Sequence, residues 1–121
     1  MSQGKILIID GDVMLSEMLK ARLKAEGFLV SYARDGREAL GIIKTEWIDL
    51  IVMAVILQGD MNGYRFLKQI RRKKEFYCIP VIIQSSKSGM KETFKRMGVK
   101  DFFVKPYSVD KFLNRIKDLL K

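Results

Sequence analysis

The stretch Asp49-Leu-Ile-Val-Met-Ala-Val-Ile-Leu-Gln-Gly-Asp-Met-Asn-Gly63 decides how this chain folds. It opens with an unbroken apolar run, Leu50 to Leu57, which is too short to cross a membrane and too rich in β-branched residues to favour a helix. The Gly, Asp and Asn cluster that follows is typical of a loop. The stretch therefore predicts a strand that is buried on both faces and whose carboxyl end leads into a loop. Ligands of open α/β sheets bind at such ends, yet the residue at this tip is Ala54, whose methyl group supports no chemistry.

Strand patterns alternate with helix patterns five times along the chain. Strands are expected at Lys5–Ile9, Phe28–Ala33, Leu50–Leu57, Ile79–Gln84 and Asp101–Val104. Helices are expected over Val13–Glu26, from Asp35 to about Glu46, from Asn62 through Ile70, over Met90–Met97 and from Ser108 onward. The short connections require right-handed parallel crossovers. The pattern predicts one α/β domain over residues 1–121, a doubly wound five-stranded parallel sheet in the flavodoxin-like order 2-1-3-4-5.

Polar residues mark where several of these helices begin. Asp35 and Glu38 form a capping-box pattern, and Asn62 and Ser108 are each placed to cap the segment that follows. Gly27 ends the first amphipathic segment, as glycine commonly does after a helix. These signals predict where four of the five helices begin or end.

Composition narrows the classes of function. Lys and Arg number 23 against 14 Asp and Glu, a net charge of +9, which favours acidic partners of any kind. Cys78 is the only cysteine and histidine is absent, so an internal disulfide, a thiolate zinc site and histidine acid/base chemistry are excluded. Cys78 is expected to pack near a strand start. Met1–Gly4 carries no leader pattern, and a cytoplasmic location is expected.

The predicted sheet brings several chemically capable residues to one rim. The carboxyl ends of parallel strands meet at the same edge, so loops that follow different strands become neighbours. The residues expected to converge there are Asp10, Gly11, Asp12, Ala54, Ser85 and Lys105.

The motifs of the chain, in the order in which they occur, resemble those of the receiver domain of two-component response regulators. Ile6-Leu-Ile-Ile-Asp-Gly-Asp12 resembles the acidic cluster of that family, and Asp49–Leu57 resembles its phosphoacceptor strand. Met61-Asn-Gly-Tyr64 resembles its Met-Asp-Gly-Phe turn, and Pro80-Val-Ile-Ile-Gln-Ser-Ser86 resembles the strand that ends in its Ser or Thr. Phe102-Phe-Val-Lys-Pro-Tyr107 is similar to its Lys-Pro turn. The resemblance covers essentially the whole chain.

The resemblance implies a phosphorylation switch. In the family, an aspartate at the end of strand three accepts a phosphoryl group from a histidine kinase. Mg²⁺ held by rim acids and an invariant lysine neutralise the developing charge. A Ser or Thr and an aromatic residue then reshape the face formed by helix 4, strand 5 and helix 5.

This chain departs from that machinery at three positions. Ala54 stands where the family has the phosphoacceptor, Gly11 replaces the second acid of the pair, and Phe102 replaces the switch tyrosine. The residues retained are Asp10, Ser85 and Lys105. Because Mg²⁺ requires oxygen ligands in near-octahedral geometry, we expect no bound metal and no cofactor. The departures predict a pseudo-receiver that is not an enzyme.

Individual side chains have alternative interpretations. Asp10 could bind a metal, but an ion pair with Lys105 that keeps the emptied pocket closed is favoured. Asp12 could be a surrogate ligand, but it is better placed as a helix N-cap. Asp60 could be a displaced phosphoacceptor, but its loop context favours a turn residue. Trp47 is expected to pack at a helix end.

The leading hypothesis is a phosphorylation-independent protein–protein interaction module, a monomer or weak homodimer, that uses the helix 4, strand 5 and helix 5 face. The cations expected on that face, which suit an acidic signalling partner, are Lys91, Lys95, Arg96, Lys100, Lys111 and Arg115. The alternative is an active receiver, if Ala54 is engineered or another acid substitutes. Nucleic-acid binding through basic patches such as Arg71–Lys74 is a third hypothesis, but no recognition motif supports it, and no membrane association is expected.

Overall fold

The computed structural model describes residues 3–121, and these form strands that alternate with helices. The strands are β1 (Lys5–Ile9), β2 (Leu29–Ala33), β3 (Leu50–Ala54), β4 (Val81–Ser85) and β5 (Asp101–Val104). The helices are α1 (Val13–Ala25), α2 (Gly36–Thr45), α3 (Gly63–Arg71), α4 (Lys91–Arg96) and α5 (Val109–Leu119). All strand pairs are parallel, in the order β2-β1-β3-β4-β5. The predicted fold class is therefore confirmed.

The sheet carries a separate apolar cluster on each face. Strand residues alternate between the two: Leu7 and Ile9 of β1 join one cluster, whereas Ile6 and Ile8 join the other. The first cluster packs under α2, α3 and α4, and the second packs under α1 and α5. Every residue of β3 is buried, because helices cover both faces of this central strand.

The central strand is shorter than its apolar run predicted. It ends at Ala54, and Ile56 is 70 % exposed, so the prediction of a buried strand through Leu57 was wrong. The reason is the lack of a partner beyond that point, because Ala54 pairs with Gln84 in the last register position of β3 with β4. The chain then turns, and Val55 accepts a hydrogen bond from the backbone N–H of Gly63 (3.0 Å).

The helix starts agree with the capping signals in the sequence. The side chains of Asp12, Asp35, Asn62 and Ser108 each accept a hydrogen bond from a backbone N–H in the first turn of the helix that follows, over 2.9–3.3 Å. After α1, Gly27 has a φ of +95°, a conformation that favours glycine. The capping of α1 by Asp12 is confirmed.

Residues 72–80 form a loop rather than the start of a strand. Strand β4 begins at Val81, not at Ile79, and Cys78 is exposed rather than packed. Nη1 of Arg71 donates hydrogen bonds to the carbonyls of Tyr77 and Ile79, both at 3.0 Å, and so ties the loop to α3. Pairing with β3 therefore starts at the carbonyl of Pro80, which accepts from the backbone N–H of Ile51 (3.0 Å).

The expectation for Trp47 was also wrong. Its side chain is 85 % exposed, because the turn between α2 and β3 directs the indole away from the core. Within residues 3–121, no helix combines the length and apolar character needed to span a bilayer. Met1 and Ser2, part of the segment assessed for a leader pattern, lie outside the described residues.

Candidate functional site

The candidate site lies at the carboxyl edge of the sheet. Ile9 pairs with Met53 in the last register position of β1 with β3. The residues that follow, Asp10 and Ala54, therefore lie next to each other at this edge. Ser85 ends β4, and Lys105 directly follows β5. The strands thus bring the predicted residues to one edge.

Asp10 is the polar centre of this site. It is only 4 % exposed, and its Oδ2 lies 2.8 Å from Nζ of Lys105, so the predicted ion pair is present. Its Oδ1 accepts a hydrogen bond from the backbone N–H of Asp12 (2.9 Å). Both carboxylate oxygens therefore have hydrogen-bond donors from loops of the site.

Gln84 and Tyr107, which were not predicted as site residues, complete a network of hydrogen bonds around Asp10. Gln84 is fully buried, and its Nε2 donates a second hydrogen bond to Oδ2 of Asp10 (2.9 Å). The hydroxyl of Tyr107 donates to Oε1 of Gln84. A signal was present in the sequence: Gln84 directly follows the apolar run Val81–Ile83 in a predicted buried strand, and a buried amide requires hydrogen-bond partners.

The environment of Tyr107 is largely apolar. Its ring stacks on Phe112 with centroids 5.1 Å apart and meets Phe103 edge-on at 5.3 Å. Burial, and then the nearby carboxylate of Asp10, raise the pKa of the Tyr107 phenol above its ordinary value. The hydroxyl is therefore held as a neutral donor to Gln84.

Gly11 and Asp12 provide no second buried carboxylate beside Asp10. Gly11 supplies no side chain, and a Cβ placed there would meet no atom within 4 Å. Asp12 is exposed, and its Oδ1 accepts from the backbone N–H of Leu15 (3.1 Å) and so caps α1. Within residues 3–121, no three His, Cys, Asp or Glu side chains gather in a metal-binding arrangement.

The remaining predicted site residues lie toward the α3–α4 side. Phe102 is buried and packs against Phe94, with ring centroids 6.4 Å apart. Oγ of Ser85 accepts from the backbone N–H of Lys87 (3.1 Å) and so stabilises the turn after β4. Ala54 is buried in the same apolar cluster as Phe102.

Asp60 lies in the loop between β3 and α3 and is paired with an arginine. Its two carboxylate oxygens accept from Nε and Nη2 of Arg37, at 3.0 and 2.6 Å. This contact holds the pKa of Asp60 below its usual value. The pair joins the loop to α2, consistent with the turn interpretation of Asp60.

The predicted partner surface is basic, but its cations are not equivalent. Lys95, Arg96, Lys100 and Lys111 are exposed, whereas Lys91 is partly buried. Arg115 is also partly buried: its Nε lies 3.3 Å from Oδ2 of Asp101, and its Nη2 donates to the carbonyl of Lys100 (3.1 Å). Arg115 therefore fastens α5 to β5.

Comparison with known proteins places the chain in a family. The sequence matches the response regulator receiver domain over residues 6–117, and the chain belongs to that family. This is the class that the parallel sheet and its rim define.

Individual relatives agree with that membership. The chain is 33 % identical over 118 residues, 97 % of its length, to the uncharacterized transcriptional regulatory protein YbdJ of Bacillus subtilis. It covers 51 % of YbdJ and spans about half the length of the other curated relatives it matches.

Solved structures agree as well. A putative response regulator from Chloroflexus aurantiacus superposes with a TM-score of 0.89 at 28 % identity, covering 97 % of each chain. The non-phosphorylated HemR receiver domain from Leptospira biflexa gives a TM-score of 0.85 at 27 % identity, covering 98 % of this chain and 94 % of that one.

Proposed function

We propose that this receiver domain acts as a phosphorylation-independent protein-interaction module, a pseudo-receiver. The observation that carries the proposal is the arrangement at the carboxyl end of β3. There Ala54 presents a methyl group beside Asp10, whose two oxygens already accept hydrogen bonds from Asp12, Gln84 and Lys105. A phosphoryl group has no nucleophile at this position.

The same residues do not fit a magnesium ion. Mg²⁺ requires oxygen ligands at short distances in near-octahedral geometry. Asp10 would have to exchange its donors for the ion, Asp12 is exposed and already caps α1 through Oδ1, and Gly11 and Ala54 offer no side-chain oxygen. We therefore propose that the site holds no metal and that the ammonium group of Lys105 supplies the positive charge next to Asp10.

The network also favours a single conformation. A fully satisfied buried polar network rigidifies its surroundings, and here it joins β1, β4 and the loop after β5. Phe102 is packed against Phe94 and carries no hydroxyl that could follow a phosphate. The domain would present one constant form of the α4–β5–α5 face.

That face supports an acidic partner. The four exposed cations Lys95, Arg96, Lys100 and Lys111 would steer a complementary surface and speed association. The curated relatives include longer proteins that are named as transcriptional regulators, and the domain would serve as the signalling part of such a protein. A cytoplasmic location follows from this proposal.

Phosphorylation gives the direct test. The protein is incubated with a small-molecule phosphodonor and Mg²⁺ and then weighed by intact-mass spectrometry. We expect no acid-labile adduct on the natural chain. The matched control is Gly11→Asp with Ala54→Asp, which restores both carboxylates and is expected to take up phosphate, since a side chain at Gly11 has open space.

An acid-labile phosphate on the natural chain would overturn the proposal in favour of an active receiver. Mapping the adduct to Asp12 or Asp60 would identify the substitute acid. Calorimetric titration with Mg²⁺ is an independent check: we expect heat of binding from the control variant only.

A binding experiment tests the partner face. A partner captured from the source cell by the tagged domain should be lost when Lys95 and Lys111 are both changed to Glu. It should be retained by Lys20→Glu with Lys24→Glu, which makes the same change in net charge on α1. Equal capture of the partner by both variants would show that the α4–β5–α5 face is not the binding surface.

A further inference from the structure

A groove lies at the edge of the sheet opposite to Asp10. It has a volume of about 760 Å³ and runs between the end of α2 and the loop that joins α3 to β4. Its floor is apolar, formed by Ile43, Ile48, Phe76 and Ile79. Since these residues lie at the amino-terminal ends of β3 and β4, the groove is separate from the site described above.

Trp47 stands at the rim of this groove. It is the only tryptophan of the chain and is 85 % exposed, so its indole contributes little to the core. Tryptophan has a large apolar surface, and it is enriched among the residues that dominate protein interfaces. An exposed indole next to an apolar groove provides an anchoring surface.

Positively charged side chains lie at the groove. Lys44 and Lys73 line it and are exposed, and Arg72 and Lys74, the sequence neighbours of Lys73, are exposed as well. The dipoles of α2 and α3 favour cations at these helix ends, with Lys44 in the last turn of α2 and Lys73 just after α3, but this stabilisation leaves the exposed ammonium groups in solvent. These cations remain available to a ligand.

The acidic side chains of the groove do not cancel this charge. Glu46 lies 2.5 Å from Nζ of Lys5 and accepts a hydrogen bond from Ser31, and these contacts hold its pKa below the usual value. Glu75 is the other acid that lines the groove. With Glu46 paired to Lys5, the two lining cations Lys44 and Lys73 are set against one other lining acid, Glu75.

We propose that this groove binds an acidic segment of a partner protein, which inserts one aromatic or aliphatic side chain against Trp47 and the apolar floor. A nucleic acid is a poorer match, because a phosphate backbone would leave the apolar floor unused. A second copy of the chain is disfavoured by mutual repulsion, since each copy carries a net charge of +9. The inference goes beyond the proposed function and does not depend on the missing phosphoacceptor.

Trp47 itself reports the binding. The probe is a short synthetic peptide of Glu and Ser residues around a central Phe, and the measurement is acrylamide quenching of tryptophan fluorescence. We expect the peptide to protect Trp47 from quenching. The same peptide with Ser in place of Phe should bind roughly tenfold more weakly and therefore protect Trp47 less at equal concentration, since loss of a buried anchor lowers affinity by at least about that factor.

Two double variants locate the interaction. Lys44→Glu with Lys73→Glu should weaken peptide binding roughly tenfold or more, as expected when charge complementarity is reversed. Lys95→Glu with Arg96→Glu changes the net charge equally on the α4 face and should leave binding unchanged. All four positions are exposed, so the fold should persist, and circular dichroism checks that it does.

The inference would be overturned if the Phe peptide did not protect Trp47 from quenching, or if both double variants weakened peptide binding equally. It would also be overturned if a single-stranded oligonucleotide protected Trp47 better than the peptide does. Protection without peptide, caused by self-association of the domain, would overturn it as well. If a variant of the α4–β5–α5 face lost its cellular partner but the peptide still protected its Trp47, the domain would have two separate interaction surfaces. The failure of one proposal is thus distinguishable from the failure of the other.

Discussion

At the scale of single residues, Asp10 shows how this chain uses a carboxylate at the edge of a parallel sheet. Three donors reach it from three parts of the chain: the backbone N–H of Asp12, the amide of Gln84 and the ammonium of Lys105. In the interior of a protein, a charge that loses its partner is costly, whereas a paired and hydrogen-bonded charge is tolerated. The residues of the site therefore contribute to stability.

Lys105→Ala should destabilise the fold. The variant leaves the buried carboxylate of Asp10 without its ion-pair partner, and breaking such a pair costs about 3–5 kcal/mol, toward the lower end here because Lys105 is partly exposed. Urea unfolding followed by circular dichroism measures the change. Lys111→Ala, at an exposed position, is the control and should change the free energy of unfolding by less than about 0.5 kcal/mol. Equal effects of the two variants would contradict the role of the pair.

Gln84 and Tyr107 should behave as a coupled pair. Gln84→Leu removes the acceptor of the Tyr107 hydroxyl and one donor of Asp10, and an unsatisfied buried polar group costs about 1–3 kcal/mol. Tyr107→Phe leaves Oε1 of Gln84 without that donor. A double-mutant cycle of urea unfolding should show a coupling free energy of at least about 0.5 kcal/mol. Simple additivity would mean that the hydrogen bond contributes nothing.

Tyr107 should also make stability depend on alkaline pH. Burial raises its folded-state pKa above 10, so the unfolded chain releases the phenolic proton first as the pH rises. The stabilising contribution is complete below about pH 10 and declines from there toward the raised folded-state pKa. Between about pH 9 and pH 11, the melting temperature of Tyr107→Phe should therefore fall less than that of the natural chain. Parallel curves would contradict this prediction.

At the scale of the elements, the loop between β3 and α3 is fixed by close backbone contacts. A Cβ at Gly63 would clash with the carbonyl oxygens of Ala54 and Val55, so α3 can begin directly against the end of β3 only because this residue has no side chain. The Arg37–Asp60 pair holds the same loop from α2. The position of Ala54 at the rim thus depends on how the next helix starts.

Gly63→Ala should destabilise the protein, whereas Gly41→Ala should stabilise it. The first forces backbone atoms apart at a cost of about 1–3 kcal/mol. The second adds a methyl group within α2 where no atom lies within 4 Å, and alanine is favoured over glycine inside a helix by about 0.5–1 kcal/mol. Thermal unfolding of both variants under identical conditions gives the signs, and a shift in the same direction for both would refute the argument.

At the scale of the whole molecule, the fold is one sheet shared by two apolar clusters. The clusters lie on opposite faces but both rest on β1, β3 and β4, so disruption of one removes support from the other. The two proposed interaction surfaces lie elsewhere, one on the α4–β5–α5 face and one beside Trp47 at the amino-terminal edge. The rigid sheet would hold them at a fixed separation.

Phe94→Ala and Phe112→Ala should each lower the stability of the whole domain. Phe94 lies in one cluster and Phe112 in the other, both fully buried, and truncation of a buried phenylalanine costs about 3–5 kcal/mol. Circular dichroism should show one cooperative transition for each variant, as expected for a small single domain. Tryptophan fluorescence should report unfolding weakly, since Trp47 is already exposed. Two separate transitions in either variant would show that the clusters unfold independently.

Most of the fold could be predicted from local patterns. The alternation of apolar runs with amphipathic segments indicated the strands, the helices and their order, and Asp12, Asp35, Asn62 and Ser108 marked helix starts. The errors in strand boundaries arose because an apolar run does not show where the neighbouring strand stops providing hydrogen-bond partners. Leu50–Leu57 reads as one strand, but pairing ends at Ala54.

The sequence by itself determined which groups are present: a methyl at Ala54, no side chain at Gly11, and an acid and a lysine at positions 10 and 105. Only the tertiary structure decided what those groups contact. Gln84 lies 74 residues from Asp10 in the chain, and their hydrogen bond exists because the sheet order and register set β1 and β4 on either side of β3. Hydrogen bonds between strands depend on spatial register, which no local periodicity contains. For the same reason, only the folded chain shows that Trp47 faces solvent beside a basic groove.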